Sequence, residues 1–111
     1  MILDTRYVFH IPLCKYQNNK LIPIGEKKNI RQIIDSLLNR LTAAGYFGMY
    51  ILDAEGVYKE RRYNEKLIIL YTETGQNPEL VFEEWFAANN DILKQECYSY
   101  EKTGKMIIKN L

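Results

Sequence analysis

The chain has 111 residues, and fifteen basic against fourteen acidic side chains leave a formal charge of only +1. A protein that grips nucleic acid through its phosphates usually carries a basic excess, so that partner is disfavoured, and a composition of 47% hydrophobic and 26% charged residues excludes a disordered chain. Two cysteines, Cys14 and Cys97, and a single histidine, His10, are too few for a closed Cys/His zinc site, and no apolar run reaches membrane-spanning length.

Taken in chain order, Arg6 to Leu13 (RYVFHIPL) alternates as a strand does. Tyr7, Phe9, Ile11 and Leu13 point one way; Val8, His10, Pro12 and Cys14 point the other. The segment from Cys14 to Lys28 reads as a long connection with a turn at Asn18-Asn19 and a short strand around Leu21 to Ile24. Asn29 then caps a helix whose apolar stripe is Ile30, Ile33, Ile34, Leu37, Leu38 and Leu41, with Gly45 as its stop. Gly48 to Asp53 is a second strand turned by Ala54-Glu55-Gly56, and the apolar run Leu67 to Leu70 marks a central strand paired on both edges.

Asn77-Pro78-Glu79 starts a second helix, which runs to about Gln95 and buries Leu80, Val81, Phe82, Trp85, Phe86, Ile92 and Leu93. The chain ends as strand, a Thr103-Gly104 turn, and a further C-terminal strand. The order is βαββαβ, an α+β arrangement. It predicts one ferredoxin-like domain over residues 1–111, a plait with two helices on one face of an antiparallel sheet. The other face of the sheet is left for solvent, ligand or partner.

No catalytic motif stands out: glycines are scattered singly, and neither a phosphate-binding glycine loop nor a metal-ligand spacing occurs. Tyr58, Lys59, Arg61, Arg62 and Tyr63 form a charged ribbon that either lies solvated or contacts an anion or partner through forked donors and stacking rings. His10, with Tyr7 and Tyr50, is the candidate lining of a pocket. Cys14 sits four residues along from His10, too far for a direct thiol–imidazole pair when same-face neighbours on a strand are about 7 Å apart. Tyr98 and Tyr100 share one strand face and are the candidate oligomer contact.

Three segments, YILDAEGVY (Tyr50 to Tyr58), NEKLIIL (Asn64 to Leu70) and LKQECYSYE (Leu93 to Glu101), carry a resemblance. Across residues 46–101 the chain resembles an uncharacterised bacterial family of unknown function. Gly56-Val57-Tyr58, Glu65 and Gln95-Glu96-Cys97 stand where that family has a glycine–tryptophan turn, an acid before an apolar strand, and a Gln-Glu-Ser. The resemblance implies ferredoxin-like architecture and no activity.

Nine tyrosines are many for this length, and an aromatic sheet face invites association. The expectation is a homodimer or homotrimer that binds a partner or small ligand without catalysis, needs no cofactor or metal, and makes no membrane contact. Its N-terminus lacks the basic start and apolar run of a signal peptide, so the cytoplasm is the expected location. Two alternatives make different forecasts. A small enzyme of the dimeric α/β-barrel kind requires an enclosed pocket with convergent polar groups around His10. A weak nucleic-acid or anion binder requires Arg61 and Arg62 to act together.

Overall fold

The computed structural model describes the backbone of residues 1–111 and every side chain except those of residues 27 and 28. Strands β1 (Thr5–Pro12), β2 (Cys14–Gln17) and β3 (Lys20–Pro23) precede helix α1 (Lys27–Ala43). Strands β4 (Met49–Tyr58) and β5 (Arg61–Thr72) follow, then helix α2 (Pro78–Leu93) and strands β6 (Cys97–Lys102) and β7 (Lys105–Asn110). Five strands form one antiparallel sheet in the order β4-β5-β1-β6-β7, and β2 pairs with β3 in a separate hairpin. The architecture is α+β and compatible with a ferredoxin-like plait. Among the described residues, no helix is long and apolar enough to cross a membrane.

Strand register divides the side chains cleanly. Ile51, Ile68, Phe9, Tyr100 and Ile107 face one another in a row across all five strands. The helices cover this side. From α1 come the buried Ile33, Ile34, Leu37 and Leu41, and from α2 the buried Phe82, Trp85, Phe86 and Leu93. Phe9 stacks on Phe82 with ring centroids 4.6 Å apart, tying the central strand to α2. Trp85 Nε1–H donates to the main-chain carbonyl of Ile33 at 2.7 Å, which joins the two helices and satisfies the one polar group of a fully buried indole. Burying each of these large side chains contributes roughly 2–3 kcal/mol, the main force holding the layers together.

The helix ends follow local chemistry. Glu26 is extended, and its carbonyl accepts from Ile30 N–H at 3.1 Å, so α1 begins before Asn29, which lies exposed within the first turn instead of capping it. At the other end, Gly45 takes φ +100°. Its N–H bonds to Thr42 O and that of Tyr46 to Leu41 O, both at 3.0 Å, a closing geometry that favours glycine. Helix α2 starts at Pro78 as its sequence suggests, but Leu80 is exposed, being off the stripe that meets the sheet. Asn89 and Asn90 lie inside α2. Asn89 donates back to Trp85 O, and the Asn90 side chain bonds both Gln95 N–H and Gln95 O just past the helix end.

Two expectations are corrected here. The β4–β5 hairpin does not turn at Ala54-Glu55-Gly56: β4 runs straight through these residues, and Lys59 and Glu60 make the turn with φ of 49° and 66°. Gly56 is needed for another reason. A Cβ there would lie 2.2 Å from Cζ of Tyr63, its cross-strand partner, so the glycine makes room for that ring. The segment from Cys14 to Lys28, expected as a loop with one short strand, carries a two-stranded hairpin turned by Asn18 and Asn19, both in the left-handed region.

The Trp85–Ile33 bond gives a direct check on helix docking. Trp85→Phe removes the donor and leaves a small void, and should destabilise the fold by about 1–3 kcal/mol in chemical denaturation followed by circular dichroism. A loss well under that range would mean the indole N–H does not hold α2 against α1.

Candidate functional site

The sheet face turned away from the helices carries the alternate residues. On β1 these are Arg6, Val8 and His10; on β5, Tyr63, Glu65, Leu67, Ile69 and Tyr71; on β6, Cys97, Ser99 and Glu101. Strand β1 lies between β5 and β6, so His10 is flanked on both sides. Its direct neighbour on β5 is Leu67, while Glu65 pairs with Pro12 and Glu101 pairs with Val8. Both carboxylates therefore approach the imidazole diagonally, one from each adjacent strand.

The geometry is a Glu–His–Glu row. His10 Nδ1 lies 3.2 Å from Glu65 Oε1 and His10 Nε2 lies 3.5 Å from Glu101 Oε1, with His10 and Glu65 side chains only 15% exposed. The Nδ1 contact is a hydrogen bond. The Nε2 contact has the length of an ion pair, and Nε2 is buried with no hydrogen-bond partner among the described residues. Arg6, four residues back on the same strand face, approaches the second carboxylate through Glu101 Oε2 at 3.6 Å. Burial alone would lower the His10 pKa, but the hydrogen bond and charge of Glu65, reinforced by Glu101, outweigh it and raise the imidazole above its ordinary 6.5. Tyr63 is likewise raised, by burial first and then by Glu65.

This row can accept and release a proton, and it can present two carboxylates to a cation. Its two ring nitrogens face different carboxylates and do not converge on one ion, and no group of three or more metal-ligating side chains is found among the described residues. Its floor is apolar: Val8 and Ile69 are buried beside it even though they lie on the uncovered face. Three hollows lie around the sheet, the first of them reaching Glu65. A groove of about 890 Å³ runs between α1 and the β4–β5 ribbon, one of about 730 Å³ lies beside Phe47 and Tyr50, and one of about 640 Å³ lies between the β2–β3 hairpin and the end of α2. None of the three is lined by His10 or Glu101, and the convergent polar groups expected around His10 are present on the sheet face.

The remaining sequence candidates separate. Tyr7 is corrected: it is fully buried on the helix side, opposite to His10, and its hydroxyl donates to Gln76 O at 3.3 Å. Burial, then Glu79, raises its pKa well above the usual tyrosine value. Tyr50 does lie on the uncovered face but on β4, in register with Ile69 and Val8, and is exposed. Tyr98 and Tyr100 are also corrected. They share a face, but it is the helix-covered one; Tyr100 is buried and Tyr98 packs edge-on to Phe82, so neither is free for an oligomer contact.

The charged ribbon does not turn its side chains to one side. Lys59 occupies the turn and lies over the Tyr58 ring at 5.5 Å. Arg61 and Arg62, successive in a strand, point to opposite sides. Arg61 stacks on Tyr16 of the β2–β3 hairpin at 5.4 Å, and Arg62 pairs with Glu55 at 2.9 Å. Glu65 and Glu101 are the functional candidates that sequence reasoning missed. An acid set within a run of strand residues was the available signal, but only the β5-β1-β6 pairing brings the two together.

Because the folded imidazole is raised, its stabilising effect is complete below pH 6.5 and is lost as pH rises through the folded value. In urea titrations at a series of pH values, the wild type should lose stability relative to His10→Gln across that window. A pH-independent difference would show that His10 gains nothing from its carboxylates.

No protein-family model and no curated protein matches the chain. Among solved structures it is similar to a phage SAM lyase in complex with S-methyl-5′-thioadenosine, with TM-score 0.55 and 13% identity over 96% of this chain and 89% of that one. A phage SAM lyase in the apo state gives TM-score 0.53 and 14% identity over the same shares. At this identity the likeness is one of fold.

Proposed function

We propose that this protein is a homo-oligomeric enzyme that binds S-adenosylmethionine on the uncovered sheet face at His10, Glu65 and Glu101 and cleaves one of its C–S bonds to leave S-methyl-5′-thioadenosine. The Glu–His–Glu row carries this reading. In it the fold is a ferredoxin-like plait with β7 added at one edge, and the resemblance of residues 46–101 to an uncharacterised bacterial family adds architecture only. The choice of substrate is supported by the similar phage SAM lyase and the S-methyl-5′-thioadenosine it holds.

The chemistry suits the site. S-adenosylmethionine carries two cationic centres, an α-ammonium with three donors and a sulfonium with none, and one α-carboxylate, which is left to solvent away from the two glutamates. Glu65 and Glu101 suit the ammonium, which needs charged acceptors at hydrogen-bond distance. The sulfonium is better placed over Val8, Leu67 and Ile69. When the bond to the aminobutyrate arm breaks, its electron pair goes to sulfur and the positive charge there disappears. Apolar surroundings favour a step that loses charge, whereas a carboxylate against the sulfur would stabilise the starting state more than the transition state. A lyase consumes no water, so the pair that replaces the bond at carbon comes from within the substrate.

A flat sheet face lacks the walls such a reaction needs, and a second or third copy packed on this face would supply them. Exposed Tyr50, Leu52 and Tyr71 on the same side suit that role. The same residues support a second reading, a binding module that assembles through this face without catalysis.

Incubating the purified protein with S-adenosylmethionine and separating the products chromatographically tests the choice. S-methyl-5′-thioadenosine should accumulate, and Glu65→Gln and Glu101→Gln should each slow it about 100-fold by releasing the substrate arm from its fixed position. Light scattering should give a dimer or trimer. A folded oligomer that forms no product favours the binding module; a monomer would leave the site without its second wall and count against the enzyme.

A further inference from the structure

We infer that the His10 proton and a ligand's ammonium group occupy the same electrostatic position, so that a ligand cation entering between Glu65 and Glu101 displaces the proton from the imidazole. The inference rests on the proposed binding site and adds how its charge is managed.

Charge balance favours a single cation here. Glu65 and Glu101 bring two negative charges to this face, and Arg6, at 3.6 Å from Glu101, offsets one. With an imidazolium at His10 the four groups sum to zero; with a neutral imidazole they sum to minus one. Other titratable side chains on the face next to His10 are Tyr63 and Tyr71 on β5 and Cys97 on β6, none of them a carboxylate or a basic group. The protein alone therefore balances this half-buried row by holding a proton. With the ligand's own α-carboxylate turned out to solvent, a bound ammonium supplies the same positive charge, and holding both would leave the row at plus one in a poorly solvated place.

Geometry agrees with exchange rather than coexistence. Nδ1 is engaged by Glu65, but the Nε2 side is looser, with Glu101 at 3.5 Å and no hydrogen bond completed. That is the side on which another donor can take over the Glu101 carboxylate while the ring returns to the neutral form, still donating through Nδ1 to Glu65. The released proton goes to solvent, and no bond to carbon or sulfur is involved.

His10 is the only histidine in the chain, so its ring signals in NMR report the exchange without overlap. S-adenosylhomocysteine is a suitable probe, having the ammonium but no breakable sulfonium, and S-methyl-5′-thioadenosine has neither cation. The intact protein is titrated alone and with saturating amounts of each. S-adenosylhomocysteine should lower the His10 pKa by about one pH unit or more, S-methyl-5′-thioadenosine should leave it in place, and Glu65→Gln should lower it without any ligand. If S-adenosylhomocysteine causes no shift, if both compounds shift it equally, or if Glu65→Gln leaves it unmoved, the exchange is overturned. The product assay with S-adenosylmethionine decides the lyase reading separately, since cleavage can proceed whether or not His10 gives up its proton.

Discussion

Strand β1 is hydrogen-bonded along both edges, to β5 and to β6, and this double pairing governs the rest of the molecule. A strand shows its side chains to alternate faces, so a slip of one residue would send Phe9 out and His10 in. Two costs oppose that slip. Phe9 would leave its stack on Phe82, and an imidazole with two carboxylate companions would be forced beneath the helices. The hydrophobic layer and the charged row are thus fixed by one register. Neither can be shifted while the other stays, which explains how a chain of this size holds a polar cluster in a defined place with no enclosing pocket.

Local signals make most of the elements legible. The three- and four-residue spacing from Ile30 to Leu41, the Asn77-Pro78 start and the Thr103-Gly104 turn each depend on neighbours close in sequence, and each appears where its chemistry places it. Sequence and structure part where a residue's role depends on a distant strand. Gly56 looks like a turn residue because glycine so often is one, but its partner across the hairpin is a tyrosine ring that needs the space. Tyr98 and Tyr100 do share one face of one strand. Which face meets the helices is set by β6 pairing with β1, and no local pattern contains that information.

The candidate site is hidden from the sequence for the same reason. Glu65 and Glu101 are thirty-six positions apart in the chain and meet only because β1 lies between their strands. His10 alone looks like an ordinary strand histidine. Lys59 and Glu60 are the opposite case: their turn is local, yet neither is a residue type that readily takes positive φ, so composition points away from them. The hairpin forms there because its long flanking strands fix where the chain must reverse.

Glu65 also marks a mechanical boundary. It is the last residue of β5 held on both sides, paired to Ala54 on one edge and to Pro12, the end of β1, on the other. Beyond it, residues 55–64 continue as a two-stranded ribbon, and the molecule stretches to 48 Å along its long axis against 27 and 24 Å across. Pro12 has no N–H to give to the ladder at that junction. A two-stranded ribbon frays more readily than a five-stranded sheet, and fraying from the tip inward reaches Glu65 before any core residue. Amide hydrogen exchange would consequently divide the Glu–His–Glu row itself: His10 would open with the whole fold, and Glu65 with the ribbon.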